Sequence, residues 1–224
     1  MKTVKVLMLV AIILAAGGRL RAQPFTNSAS TTVNLGIPDN DASGVASTIQ
    51  FSSAQIDRIT DVNVTLNISG NFNGDLYGYL SFGSGFSVLL NRTGRTAANS
   101  LGYSDGGFNI TLDDEATNGD IHTYRVTLNP GGGALNGAWA PDGRNTSGGN
   151  GLDTDPRSAL LNGFDGLNPN GPWALFVADL SPGGTSRLNS WGLQVVGVPE
   201  PGTWVLLALG GGLLFCLGRR KRMR

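Results

Sequence analysis

Cysteine is almost absent from this 224-residue chain: its single Cys216 lies close to the C-terminus. Residues 23–197 therefore have no disulfide and no thiolate metal ligand, and their core must suffice alone. A body of roughly 175 residues can do so, because it buries about 70% of its unfolded surface. Lysine is missing as well between 23 and 197, where seven Arg face fifteen Asp/Glu for a net charge of −8. Phosphate binding needs clustered Lys/Arg, so nucleic acid is excluded as a partner. The formal net charge of zero conceals this, because Lys2, Lys5, Arg19 and Arg21 precede the body and Arg219, Arg220, Lys221, Arg222 and Arg224 follow it. No apolar run reaches the 18 residues of a comfortable membrane span. The 34 Gly show no three-residue period, which excludes collagen and favours a turn-rich β protein.

The two ends look like processing segments. Residues 1–22 read as a secretory signal peptide for signal peptidase: Lys2 and Lys5 precede an apolar stretch over 6–16, and Leu20-Arg21-Ala22 offers a cleavage site. Arg is unusual at the penultimate position, so cleavage nearer Gly17 or Gly18 is the rival, and an uncleaved anchor the alternative. At the other end, Val198-Pro199-Glu200-Pro201-Gly202 precedes an apolar stretch over 203–217 and the basic Gly218-Arg219-Arg220-Lys221-Arg222. A helix over 203–217 is about 24 Å long, slightly short of a ~30 Å hydrocarbon core, and could span with local thinning. The basic cluster would stay cytoplasmic, leaving residues 23–197 outside. The order Pro199-Glu200-Pro201, membrane helix, basic cluster over 198–224 resembles the PEP-CTERM sorting signal. That resemblance implies a Gram-negative bacterium, an exosortase that removes the tail, and delivery to the cell surface or an exopolysaccharide matrix. A plain membrane anchor is the alternative.

Between the ends the pattern is that of strands. Residues 61–69 alternate strictly, with Val62, Val64, Leu66 and Ile68 on one face and Asn63, Thr65, Asn67 and Ser69 on the other. Short strands are also expected at 45–51, 75–82, 86–90, 108–112, 121–128, 173–178 and 191–196, about eight in all, and no window sustains a helical period. Strands this short and closely spaced predict an all-β antiparallel sandwich or jelly roll. Residues 23–36 are read as a linker, and 129–172, with eleven Gly, as an excursion pinned to the core by Leu160, Leu161 and Phe164.

Five segments of 37–197 occur in the order of a known family: Gly74-Asp75-Leu76, the run from Phe108 to Ala116, Gly137-Ala138-Trp139-Ala140-Pro141, the run from Gly171 to Asp179, and Leu188-Asn189-Ser190-Trp191-Gly192-Leu193. Together they resemble the P domain (Homo B domain) that follows the catalytic domain of kexin-like subtilases. The resemblance implies a jelly-roll β-sandwich, with Trp173 and Trp191 as core residues. No subtilase domain is expected ahead of it in this chain, which leaves its usual stabilising role without an object in cis.

Candidate chemistry is sparse. A Ser-His-Asp centre needs an imidazole, and the only one is His122, expected in a strand as a packing or surface residue. Gly102-Tyr103-Ser104-Asp105-Gly106 fits a nucleophile-elbow pattern but is followed by a strand-like segment instead of a helix, and Gly184-Thr185-Ser186 also leads into a strand. The chain is accordingly expected to be non-catalytic, with no required cofactor. Asp113-Asp114-Glu115 crowd three acids, and with Asp75 and Asp179 converging on them they could hold calcium; otherwise these acids cap turns or pair with Arg. Tyr77 and Tyr79 share a strand face and, with Trp139, could contact glycans; cover by loops or burial is the alternative. The sequons at Asn63, Asn67, Asn91, Asn109 and Asn145 are read as by-products of polar β-faces. Three roles stay open: an exported structural or adhesive protein, an accessory module for a separately encoded subtilase, and a lectin-like binder of extracellular polysaccharide.

Overall fold

The computed structural model describes residues 23–146 and 149–199. Nine strands follow one another: β1 (Phe25–Ile37), β2 (Asp41–Phe51), β3 (Arg58–Ser69), β4 (Leu76–Phe82), β5 (Gly85–Asn91), β6 (Phe108–Leu112), β7 (Leu135–Trp139), β8 (Gly171–Asp179) and β9 (Ser186–Val198). They form a five-stranded sheet in the order β1-β9-β3-β6-β7 and a four-stranded sheet in the order β2-β8-β4-β5; neither closes into a barrel. Every pairing is antiparallel except β6 with β7. The β4–β5 hairpin turns through Gly83-Ser84 because Phe82 pairs with Gly85, and Gly83 takes the positive φ of 56° that such a tight turn requires.

Alternation decides which face of each strand meets the core. On β3, Val62, Val64, Leu66 and Ile68 are buried, and they share one apolar cluster with Leu76 and Leu80 of β4 and with Trp173, Leu175 and Val177 of β8. The indole Nε1 of Trp191 on β9 donates to Ser47 Oγ on β2 at 2.9 Å, a buried hydrogen bond from one sheet to the other. Trp173 Nε1 likewise donates to Pro169 O and Trp139 Nε1 to Asn136 O, so each buried indole has an acceptor.

Three expectations are corrected. Residues 23–36 are not a linker: they supply most of β1, whose pattern of small Ser, Thr and Ala side chains had hidden its period, and which pairs along its length with β9. Residues 121–128 are not a strand, because Asp120 caps a 3-10 turn, Ile121–Val126, by accepting from His122 N at 2.9 Å. Ile121 and Tyr124, three apart, point together into the core, a spacing that a strand would split between faces. The 129–172 excursion contains β7, and of its expected pins Leu161 and Phe164 are fully buried while Leu160 is only half-buried. The sorting helix expected over 203–217 lies outside the described residues, and among those described no helix is long and apolar enough to cross a membrane.

Leu80 is fully buried on β4, an interior strand. Leu80→Ala is expected to destabilise the protein by about 2–5 kcal/mol, read as a lower urea midpoint with an unchanged slope.

Candidate functional site

A cleft of about 340 Å³ opens beside the start of β4, lined by Phe72, Asp75, Leu101, Tyr103, Ser181 and Pro182. Between its lining residues Phe72 and Asp75, the chain is held by buried Asn73. Asn73 Nδ2 donates to Gly107 O at 3.0 Å, its Oδ1 accepts from Gly107 N at 2.7 Å, and its carbonyl accepts from Thr93 Oγ1. Gly74 must be glycine, since a Cβ there would sit 2.2 Å from Leu101 O. Phe72 and Arg92 both hold left-handed backbone, at φ 63° and 53°, a conformation that costs side-chain-bearing residues energy and is sustained by the surrounding contacts.

Asp75 and Asp179 lie together at the base, where Leu76 and Asp179 are register partners, and both are buried. Arg92 is their nearest cation: its Nη2 is 3.9 Å from Asp75 Oδ1 and donates to Ser181 Oγ at 2.6 Å, while its Nε donates to Gly74 O. Burial, with Asp179 beside it, pushes the Asp75 carboxyl up to about 6, and burial raises Asp179 as well. The cleft thus has an apolar rim and, in Asp75, a carboxyl that takes up a proton near pH 6.

His122 is fully buried. Its Nδ1 lies 2.7 Å from Asp142 Oδ2 and its Nε2 2.8 Å from Arg95 O. A carbonyl and a carboxylate are both acceptors, so this setting favours a ring that donates from both nitrogens. Burial alone would lower its pKa, but the hydrogen bond and charge of Asp142 carry it above the ordinary value. Arg144 bridges Asp142 and Asp120, at 3.3 and 2.8 Å, and balances the buried charges. Neither candidate serine faces this imidazole: Ser104 Oγ accepts from Arg125 Nη2, and Ser186 Oγ donates to Asn71 O. Asp105, beside Ser104, is buried and accepts from Tyr124 Oη, Arg125 Nε and Gly132 N.

The five acids proposed for calcium do not converge. Asp75 and Asp179 belong to the cleft on the four-stranded sheet, and Asp114 instead caps residues 161–162 by accepting from Leu161 N and Asn162 N. Asp113 and Glu115 are joined by Asp61, with one carboxylate oxygen of each within 4.8 Å of the others. Asp61 was legible only through strand pairing, because the register Val64 to Leu112 carries the start of β3 alongside residue 113. Burial and neighbouring Asp113 raise Asp61, and a hydrogen bond with Asp113 raises Glu115. Three carboxylates could hold part of a hard cation's shell, against the six to eight oxygens calcium takes.

The glycan candidates divide. Tyr77 and Tyr79 lie half-buried on the face of β4 opposite its core residues, with ring centroids 6.0 Å apart. Phe86 and Phe176, absent from the sequence reading, complete the patch at 5.2 and 4.9 Å from Tyr79. Trp139 is not part of it: it is fully buried, 6.2 Å from the Tyr124 ring. On the outer face of the other sheet, Asn189, Asn67, Asn109 and Asn136 form a hydrogen-bonded ladder across four strands, which accounts for two of the sequons as polar-face composition.

Comparison with known proteins adds one family match: residues 197–222 fit the PEP-CTERM protein-sorting motif. That motif implies export, membrane-associated sorting in Gram-negative bacteria and processing by an exosortase. Pro199, Glu200 and Pro201 lie within it; residues 200–224 are outside the described ones. Curated proteins give no match. Among solved structures, the chain is similar to a serine protease of Aeromonas sobria in complex with its chaperone, at 18% identity and a TM-score of 0.47, covering 85% of this chain and 30% of that one. The protease without the chaperone gives 17% identity and a TM-score of 0.43, covering 84% and 29%.

The raised groups give stability a definite pH dependence. The Asp75 contribution is complete below its unfolded value of 3.8 and is lost as pH rises through about 6. Asp179 and His122, also raised, act in the same direction, whereas Asp105, held low, loses its contribution only in stronger acid. The melting temperature is expected to fall as pH rises from about 4 to about 6, the interval between the unfolded and folded values of Asp75. Asp75→Asn should flatten that fall by on the order of 1 kcal/mol, and an unaltered profile would refute the assignment.

Proposed function

We propose that this is a non-catalytic, exported component of the bacterial cell surface or exopolysaccharide matrix, with a P-domain-like jelly-roll body that exosortase releases from its membrane tail. The observation that carries this reading is the sorting motif at 197–222, which begins within β9 and so joins the body without an intervening domain. Before processing, residues 203–217 would anchor the chain in the inner membrane. The absence of a catalytic role is supported by His122, whose two nitrogens are committed to Asp142 and Arg95. In an exosortase-bearing host, the native chain is expected to lose its tail and leave the membrane fraction. The Pro199→Ala/Glu200→Ala/Pro201→Ala variant should stay membrane-bound at full mass, and identical fractionation of the two would overturn the reading.

A second reading, a lectin-like contact with matrix polysaccharide, is favoured by the half-exposed cluster of Tyr77, Tyr79, Phe86 and Phe176, since aromatic faces stack on the apolar faces of sugars. Tyr77→Ala/Tyr79→Ala should weaken retention on exopolysaccharide at least tenfold, while Trp139→Phe, altering a buried ring, leaves it unchanged; equal retention of all three proteins would exclude this reading. The five P-domain-like segments support the remaining alternative, an accessory module acting with a separately encoded subtilase.

A further inference from the structure

We infer that the wall of the molecule formed by β1 and β2 is an interface between two copies of this chain, made by antiparallel pairing of their β1 strands. The two sheets have four edge strands, and two of them are blocked. Along β5, Val88 N donates to Ala159 O, while Gly143 N and Asp142 N donate to Val88 O and Leu89 O. β7 is only five residues long, and its carbonyls at Asn136 and Ala138 accept from Trp139 Nε1 and Asn118 Nδ2. Among the described residues, the other wall has no such cover. β1, thirteen residues long, is the edge of its sheet, and β2, the strand that follows it, is the edge of the other. Among the described residues the main-chain pairing of β1 runs only to β9; on the chain itself, Ser28 N donates to Asn27 Oδ1 and Asn34 O accepts from Arg187.

Exposed edges invite pairing, and proteins ordinarily discourage it with Lys, Pro or an inward charge. This edge has none. From Gln23 to Ile56 the only charged side chains are Asp39 and Asp41, both at the turn between the strands, and Pro24 and Pro38 flank β1 without entering it. A two-fold contact sets a surface against itself, so in a body of net charge −8 it requires a neutral patch, and this wall is one. Residues 25–32 run straight before the register shift between Thr32 and Leu35, a length of about 26 Å. Ser28, Ser30 and Thr32 project on the exposed face as a row of small side chains that leaves the strand backbone accessible, and Phe25 is 44% exposed at its end. Pairing would join two five-stranded sheets into one of ten and cover those amides. The inference is independent of where the protein is delivered, and in a matrix it would link bodies in pairs.

Sedimentation of the full chain in detergent tests this. The native protein is expected to be a dimer at micromolar concentration. Ser28→Lys/Ser30→Lys should weaken association at least tenfold, with an unchanged circular dichroism spectrum, whereas Asn136→Lys on β7 should leave the dimer intact. In a Cys216→Ser background, at least one of Ser28→Cys, Ser30→Cys and Thr32→Cys should form a disulfide-linked dimer on oxidation. A monomeric native chain, a dimer insensitive to the paired lysines, or equal loss with Asn136→Lys would overturn the proposal.

Discussion

The structure depends on burying two alternating faces against each other without a covalent brace. With no cysteine outside the tail, stability must come from apolar area removed from water, and β3, β4, β8 and β9 supply it by presenting every second residue inward. The Trp191–Ser47 hydrogen bond satisfies the one polar atom of a large buried ring and fixes the two sheets relative to each other at that point. The loops are then free to carry most of the charge.

Those loops hold two different kinds of polar construction. Around His122, the imidazole, Asp142 and Arg144 are buried and Asp120 is half-buried, and their hydrogen bonds tie the 3-10 turn to the loops around residues 95 and 142. Around Asp75, two carboxylates lie near one arginine beneath an apolar rim, and burial, with the second carboxylate adding to it, raises the Asp75 pKa. Conversely, the aromatic patch on the four-stranded sheet and the Asn ladder on the five-stranded one divide the outer surface into an apolar and a polar platform.

Much of the body was legible locally. The strict alternation over 61–69 located β3, and Gly70 to Gly74 correctly separated it from β4. β1 escaped because Ser, Thr and Ala differ too little in hydropathy to show a period of two, although the chain alternates in burial over that whole stretch. Residues 121–128 misled for the opposite reason: β-branched and aromatic residues suggested a strand, but the Asp120 cap and the buried pair Ile121 and Tyr124 favour a 3-10 turn. Trp139 was placed in an exposed excursion because its glycine-rich surroundings concealed a five-residue parallel strand.

Composition and order along the chain determined what depends on single segments: the absence of disulfides, the anionic body, the strand-rich class and the sorting motif at its end. Tertiary structure alone decided which residues meet. Asp61 joins Asp113 and Glu115, Asp75 joins Asp179, Phe86 and Phe176 join the tyrosines, and among the described residues loops cover the β5 edge while the main chain of β1 pairs only with β9. The physical reason is that strand pairing brings together residues far apart in sequence, and a shift of one residue in register would exchange every inward side chain for an outward one.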